Sequence, residues 1–391
     1  MIPFRVNLRS LLVRRSSTLL TITGIGLVVM VFVVVASLSS GLESVFRASG
    51  DPRNMVVLRG AAVSELESGI DRRAYSIVTT LPDVERGPDG EPLVSGEHFV
   101  VINQPRRDDP EGSANLVVRG VTAAAFALRP EVRLTAGRMF RPGTEELIAS
   151  EAMAGRFQGC GLGETLRMRG RTFTIVGLFD AGSTAWDSEL WADRDVLGDA
   201  FNRRRIVSSI LLRCSDPAAQ KRLIQSVADD RRLNLKALNQ VTYFEAQTSS
   251  AATLKLLTGI LTVVLSIGAC FSAANTMYAA VAARTREIGT LRALGFPAWG
   301  ILFAFVAESF VLAVVSGAIG TAAGGLLMAL FAGYTGTNNM QTFSEVAFRF
   351  QLTAPIAVAA IALSGVMGVL GGFLPARRAA RIPITQALRQ T

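Results

Sequence analysis

From Ser16 to Leu42 the chain carries no charged residue, and three comparable apolar runs follow it. Lys255 and Arg284 bracket 28 uncharged residues, Trp299–Ala332 is interrupted only by Glu308, and Arg349 and Arg377 bracket 27. A helix needs about 20 apolar residues to cross the hydrocarbon core of a bilayer. The first run, rich in Leu, Ile, Val and Phe, is favoured in a membrane by about 4 to 8 kcal/mol on the insertion scale. Four transmembrane helices are therefore expected, over 16–42, 256–283, 299–332 and 354–376. Pro355 falls in the first turn of the fourth, where proline is tolerated. A signal peptide has an apolar core of only about 7–15 residues, so the longer first run predicts an uncleaved anchor.

The region between the first two runs has ordinary globular composition. Met55–Arg59, Val117–Arg119, Thr172–Val176 and Ile210–Arg213 read as strands, and Arg72–Thr80 and Pro217–Asp229 as helices. The fold class that follows is an integral membrane α-helical protein with a large extracytoplasmic α+β domain, residues 43–250, between its first and second helices. A strand–helix pattern near the start of that domain is matched near its end. The expected arrangement is flanking halves, about 51–119 and 206–242, around an inserted β-rich subdomain at about 120–205. The ends of the domain, Leu38–Ser49 and Tyr243–Lys255, have helical character and are expected to carry the adjoining spans outward as a stalk.

A formal charge of +9 invites a nucleic-acid reading, but the charge is not in the globular region. Residues 41–250 hold 27 Lys and Arg against 28 Asp and Glu, whereas the rest of the chain holds 13 against 3. The excess lies beside the apolar runs, which makes it a topology signal. The amphipathic segment 1–15 has Arg5, Arg9, Arg14 and Arg15 and suits an anionic lipid surface. The 284–297 loop has Arg284, Arg286 and Arg292 against Glu287, and the 377–391 tail has Arg377, Arg378, Arg381 and Arg389. Both termini and the 284–297 loop are thus expected in the cytosol. The large domain and the 333–353 loop are expected outside, in a multi-pass protein with no nucleic-acid partner.

Chemistry is sparse. One histidine, His98, provides no cluster for a metal and is expected to be an ordinary packed or surface residue. No GxSxG elbow accompanies it. The three lysines, Lys221, Lys236 and Lys255, follow Gln, Leu and Leu, so none is the lysine of a GxxxxGK[ST] phosphate loop. No catalytic, cofactor-binding or metal site is expected, and any ATP hydrolysis must come from elsewhere. Cys160 and Cys214 share the globular region, and their spacing decides neither for nor against a disulfide.

Two features of the membrane part invite function. The segment RTREIGTLRALGFP, Arg284–Pro297, reads as a short helix with Ile288 and Leu291 on one face and Arg286 and Thr290 on another. Glu287 and Arg292 suit its dipole, Gly295 its left-handed end, and Pro297 its stop. Glu308 is the one acid inside a span, and pairing with an arginine at the cytosolic end is favoured over a proton or substrate role. Gly320 and Gly324, and Gly368 and Gly372, stand at helix-packing spacing, within one bundle or along a homodimer seam.

These residues resemble a known group. TREIGTLRALGF between the second and third spans, the tail PARRAARIPITQALR, FAFVAESFVLAVVSGAIG in the third span and GIG at Gly24–Gly26 are similar to the MacB/FtsX-type ABC transporter permeases. FDAGSTAWDSELW, Phe179–Trp191, is the best match in the outward domain. The resemblance implies a permease subunit, a homodimer or a pair with a close paralogue, in a bacterial inner membrane. Each protomer would dock a cytosolic ABC ATPase that binds the ATP and Mg. Arg286, Glu287, Ile288, Leu291 and Arg292 would lie at that interface. Force would pass through the membrane helices to the periplasmic domain, by mechanotransmission, to drive export or extraction. A periplasmic adaptor and an outer-membrane channel are implied as further partners. An alternative is a non-transporting regulator of a periplasmic enzyme such as a cell-wall hydrolase. The four-span count separates this chain from ten-span relatives.

Overall fold

The computed structural model describes residues 15–230, 232–247, 249–330, 335–338, 345–348 and 351–383. The amphipathic segment before Arg15, most of the 333–353 loop and the end of the tail, with Arg389, lie outside the described residues. The chain forms two compact units.

The membrane unit is built on four helices. α1 (Arg15–Ala48) starts it and runs on into the other unit, which explains a length of 34 residues against the ~20 that a bilayer needs. The hydrophilic unit follows, beginning with β1 (Asn54–Arg59), β2 (Ile70–Asp71) and α2 (Arg72–Thr79). Asp71 caps α2 by accepting from the Ala74 amide. Next come β3 (Val94–Pro105), β4 (Ser113–Val121), α3 (Ala124–Leu128), β5 (Arg133–Gly137), β6 (Glu146–Ser150) and α4 (Glu151–Arg156). β7 (Thr165–Met168), β8 (Arg171–Asp180), a 3₁₀ turn at Ala185–Ser188, β9 (Glu189–Asp193) and α5 (Arg194–Ala200) complete the middle. β10 (Ile206–Val207), β11 (Ser209–Arg213), α6 (Pro217–Asp229), β12 (Leu235–Asn239) and α7 (Gln240–Gln247) lead back to the membrane. α6 opens with Asp216 as its cap and Pro217 in the first turn, the start that its sequence announces.

The membrane unit resumes with α8 (Ser249–Ala283), the short α9 (Thr285–Ala293) and α10 (Ala298–Leu330). β13 (Thr335–Asn338) and β14 (Glu345–Phe348) form an antiparallel hairpin that groups with the hydrophilic unit. α11 (Ala354–Ala380) ends the described fold. α1, α8, α10 and α11 are each long and apolar enough to cross a membrane.

In the hydrophilic unit one ten-stranded sheet runs β12-β1-β11-β3-β4-β9-β6-β8-β5, with β7 on β8. β4–β9 and β6–β8 are parallel, and the other pairs are antiparallel. Two apolar cores lie along it. The first gathers Met55, Val57, Val78, Ile210, Leu223 and Leu235, and the second Val100, Leu116, Leu147, Phe157, Phe173 and Leu190. The division falls inside β3, not at Gly120 as the sequence suggests. β3 is 12 residues long and changes partner partway, pairing with β11 over Val94–Glu97 and with β4 from His98 onward. Gly/Pro punctuation marks turns but not such a hand-over, so the boundary is invisible in composition.

Candidate functional site: a short helix between two spans and a buried charge cluster

α9 is held at both ends. At its C-terminus the Gly295 amide donates to the Arg292 carbonyl and the Phe296 amide to the Leu291 carbonyl, each at 3.1 Å, with Gly295 at φ +92°. This is a Schellman motif, and only glycine takes that backbone without strain. Arg292 Nη1 donates to the Ala380 carbonyl at 2.7 Å, which ties the last turn of α9 to the end of α11.

The five residues expected at a partner interface do not share one environment. Arg286 and Glu287 are exposed, and Leu291 and Arg292 are half-buried. Ile288 is 3 % exposed and packs with Met277, Val281, Ile301, Phe305, Ala376 and Ala379. Ile288 therefore anchors α9 to the spans and is not available to a partner. The spacing of Ile288 and Leu291 identifies an apolar face correctly but cannot say that the protein's own helices cover it. The outward face is Arg286, Glu287, Thr290 and Leu294, all exposed. Glu308 is buried and accepts from Arg284 Nη1 at 3.3 Å, and the same guanidinium lies 3.9 Å from exposed Glu287. The lone intramembrane acid is thus tied to the residue that precedes α9.

The small residues pack within one chain. A methyl on Gly320 would fall 2.4 Å from the Gly26 carbonyl oxygen, and one on Gly324 3.1 Å from Val33 Cγ1. On Gly368 it would fall 2.5 Å from Ala313 Cβ, and on Gly372 2.5 Å from Ser309 Cβ. These four glycines bring α10 against α1 and α11 against α10, so intramolecular packing accounts for them and a homodimer seam is not needed.

The hydrophilic unit holds a cluster that sequence reasoning missed. At the hand-over point of β3, Arg119 from β4 is fully buried and spends all five N–H groups on carboxylates. Nε and Nη2 donate to Glu189 at 2.7 Å, Nη1 and Nη2 to Glu65 at 2.8 and 2.9 Å, and Nη1 also to Glu97 at 2.8 Å. Arg129 grips Glu97 with two bonds of 2.6 and 2.7 Å and lies 4.1 Å over the Trp186 ring. Trp191 Nε1 donates to Glu189 at 2.8 Å, and the Ser209 hydroxyl donates to Glu65. Removing one partner from such a set typically costs about 3–5 kcal/mol, because a charge is left buried without compensation.

Burial pushes the Glu97 carboxyl up, but Arg129 and Arg119 outweigh it and hold the group below the usual carboxylate range. At Glu189 burial wins over Arg119, and its value is raised. The signal was a charge interrupting apolar strand runs, as in LVVRGV and SELW. Its partners lie 22 to 70 residues away, beyond any local pattern.

A second network stitches the root of the hydrophilic unit. The Ala185 amide donates to Ser49 Oγ at 2.7 Å. The Asp51 amide and Asn54 Nδ2 both donate to Gln240 Oε1 at 3.1 Å, and Arg213 Nε donates to Asn54 Oδ1 at 3.0 Å. Gly50 is in close approach to Val241, where a Cβ would fall 2.9 Å from Cα. Phe244 stacks on Phe46 and meets Trp186 edge-on. The chain leaving α1 and the chain entering α7 are joined there, next to Trp186 of the buried cluster.

Cys160 and Cys214 are both free thiols and sit in different cores. Among the described residues no group of three His, Cys, Asp or Glu is placed to hold a metal.

Two family models match the chain: the MacB-like periplasmic core domain over residues 18–229 and the FtsX-like permease C-terminal segment over 259–384. The macrolide export ATP-binding/permease protein MacB of Neisseria gonorrhoeae is 22 % identical over 99 % of this chain and 60 % of its own length. The probable syringafactin export ATP-binding/permease protein SyfD of Pseudomonas syringae pv. tomato is 27 % identical over 97 % of this chain and 57 % of its own. The chain thus spans about three fifths of the curated relatives it matches. The solved periplasmic region of MacB from Actinobacillus actinomycetemcomitans aligns with 52 % of this chain and 95 % of its own, at a TM-score of 0.38 and 15 % identity.

Proposed function

Because the chain belongs to the family of permeases that carry a MacB-like periplasmic core domain and an FtsX-like C-terminal segment, we propose that it couples ATP hydrolysis in a separate ATPase to movement of its periplasmic domain. The movement drives export or extraction of a substrate. The observation that carries this reading is the division of labour on α9. One face is locked into the spans by Ile288 and Arg292, while Arg286, Glu287, Thr290 and Leu294 are left open. A push on the open face is delivered to α8, α10 and α11 through that anchored side.

The sequence has no phosphate loop, so the nucleotide, with its Mg, belongs to the partner. The relatives are named as ATP-binding/permease proteins and extend beyond the part matched here, which supports an ABC ATPase as that partner. In this reading the protein is a homodimer, or pairs with a close paralogue, in the bacterial inner membrane. Both termini and α9 are cytosolic, and an adaptor and an outer-membrane channel lie on the periplasmic side. The arginine distribution beside the spans supports the orientation. The stitched root at Ser49, Gly50 and Gln240 supports transmission, since it gives the two connections a common attachment.

The test is reconstitution with a candidate ABC ATPase that binds the unmodified protein, comparing Glu287→Lys and Leu294→Asp with it. Loss of ATPase binding and of stimulated hydrolysis is expected from both. Undiminished binding in both variants would overturn the assignment of this face.

A further inference from the structure

A cleft of about 410 Å³ opens in the hydrophilic unit where α2 faces α5, at the place where β3 changes partner. This falls in the size range of small-molecule sites, roughly 300–1,000 Å³. His98 of β3 forms part of its wall. The side chain is 3 % exposed, and its Nδ1 is buried with no hydrogen-bond partner. A buried polar atom without a partner carries a desolvation cost that an incoming ligand group would relieve.

The cations around the cleft are unequal. Arg194 is forked onto Asp195 at 2.9 and 3.0 Å, and Arg204 is forked onto Asp199. Arg72 lines the same cleft, is exposed, and has no carboxylate partner among the described residues. The lining residues therefore include one arginine with no carboxylate partner and one histidine whose Nδ1 makes no hydrogen bond. Tyr75 lies against Gly96, where a Cβ would fall 2.5 Å from its ring, and Gly198 lies against His98, where a Cβ would fall 2.5 Å from Nε2. Both side chains are seated on glycine backbone, which fixes the walls.

We propose that this cleft binds a soluble small molecule ending in an oxyanion, a phosphate or a carboxylate, with Arg72 pairing the charge and His98 supplying a hydrogen bond. The cleft is larger than a bare oxyanion, so the anionic end is one part of the ligand. α2 contributes to one apolar core and α5 to the other, so an occupant touches both lobes. The site lies in a different part of the chain from α9 and does not rest on the coupling reading.

The chain has a single histidine, which gives a direct probe. Full-length protein labelled with ¹⁵N-histidine, in a non-ionic detergent, is titrated with inorganic phosphate and separately with acetate, against sodium chloride at matched ionic strength. A saturable change in the imidazole nitrogen shifts is expected with at least one of the two oxyanions, and none with chloride. Arg72→Gln, at an exposed position, should weaken it by about tenfold, the loss of one charge-assisted bond. Gly198→Ala should abolish it by placing a methyl against the ring. No saturable change with either anion, a response equal to that with chloride, or full binding in Arg72→Gln would overturn the proposal.

Discussion

Arg119 clasps Glu189 with two hydrogen bonds of 2.7 Å, and both side chains are shut away from solvent. Glu189 is the first residue after the 3₁₀ turn and Arg119 lies on β4, so the pair closes the parallel β4–β9 seam from inside. Arg119→Met would leave Glu65, Glu97 and Glu189 without their shared cation. A loss of about 3–5 kcal/mol is expected, read as a lower unfolding midpoint of the purified protein. Arg119→Lys should not restore it, because an ammonium cannot fill five donor positions in a fixed plane.

His98 gives a pH dependence of defined sign. Burial, with Arg194 and Arg203 nearby, lowers its value from 6.5 to about 4, against the weaker opposing pull of Asp195. The unfolded chain therefore binds a proton that the folded chain refuses between those two values. Stability from this group is complete above pH 6.5 and is lost as pH falls toward 4. Glu97, also lowered, adds a loss in the same direction at more acidic pH. The ¹⁵N spectrum of the single histidine should remain that of a neutral ring at pH 5.5, and a charged ring there would refute the assignment.

Both globular-domain thiols should be silent in the native protein. Burial pushes Cys160 and Cys214 up to about 12, so neither is a thiolate near neutral pH. Maleimide labelling at pH 7 is expected to modify neither until denaturant is added, after which both react. Mass analysis without reduction should find no bond between them.

On α9 two neighbouring substitutions should separate cleanly. Glu287→Lys, on an exposed site, is expected to change stability by less than about 0.5 kcal/mol while impairing ATPase coupling. Ile288→Asp buries a charge among Met277, Val281 and Phe305 and should lower yield and melting temperature whether or not an ATPase is present.

Gly320→Leu would drive a side chain into the Gly26 backbone of α1. Overpacking of this kind costs about 1–3 kcal/mol or more, and a lower thermal midpoint in detergent is the expected reading. Because the contact is within one chain, the loss should not depend on protein concentration.

What could be read in advance followed the range over which each signal acts. The spans, the Gly295–Pro297 stop of α9 and the capped start of α6 depend on residues within a turn or two of each other. The partner of Glu308 was also within reach, since Arg284 lies one helix end away. The covered face of Ile288 is not legible in sequence, because an apolar helix face looks the same whether it meets another protein or its own chain. The Arg119 cluster is legible only as a charge inside an apolar strand, and its partners are not, for a related reason. Its acids come from a loop, β3 and β9, and each looks alone like an ordinary surface carboxylate. The hairpin β13–β14 leaves no readable pattern, because its strands are only four residues long.

The partner change of β3 bears on how the periplasmic domain comes apart. Its first four residues complete the sheet of one lobe and its remainder that of the other, with Glu97 and His98 at the joint. Neither lobe can melt without withdrawing a strand from its neighbour, so the domain should unfold as one cooperative unit. A fragment cut at 120–205 would lack β3 and all but the last two residues of β4, and with them Val100, Leu116 and Val118 of its own core. The β-rich lobe is a separate mass of apolar packing, but it is not a separable module.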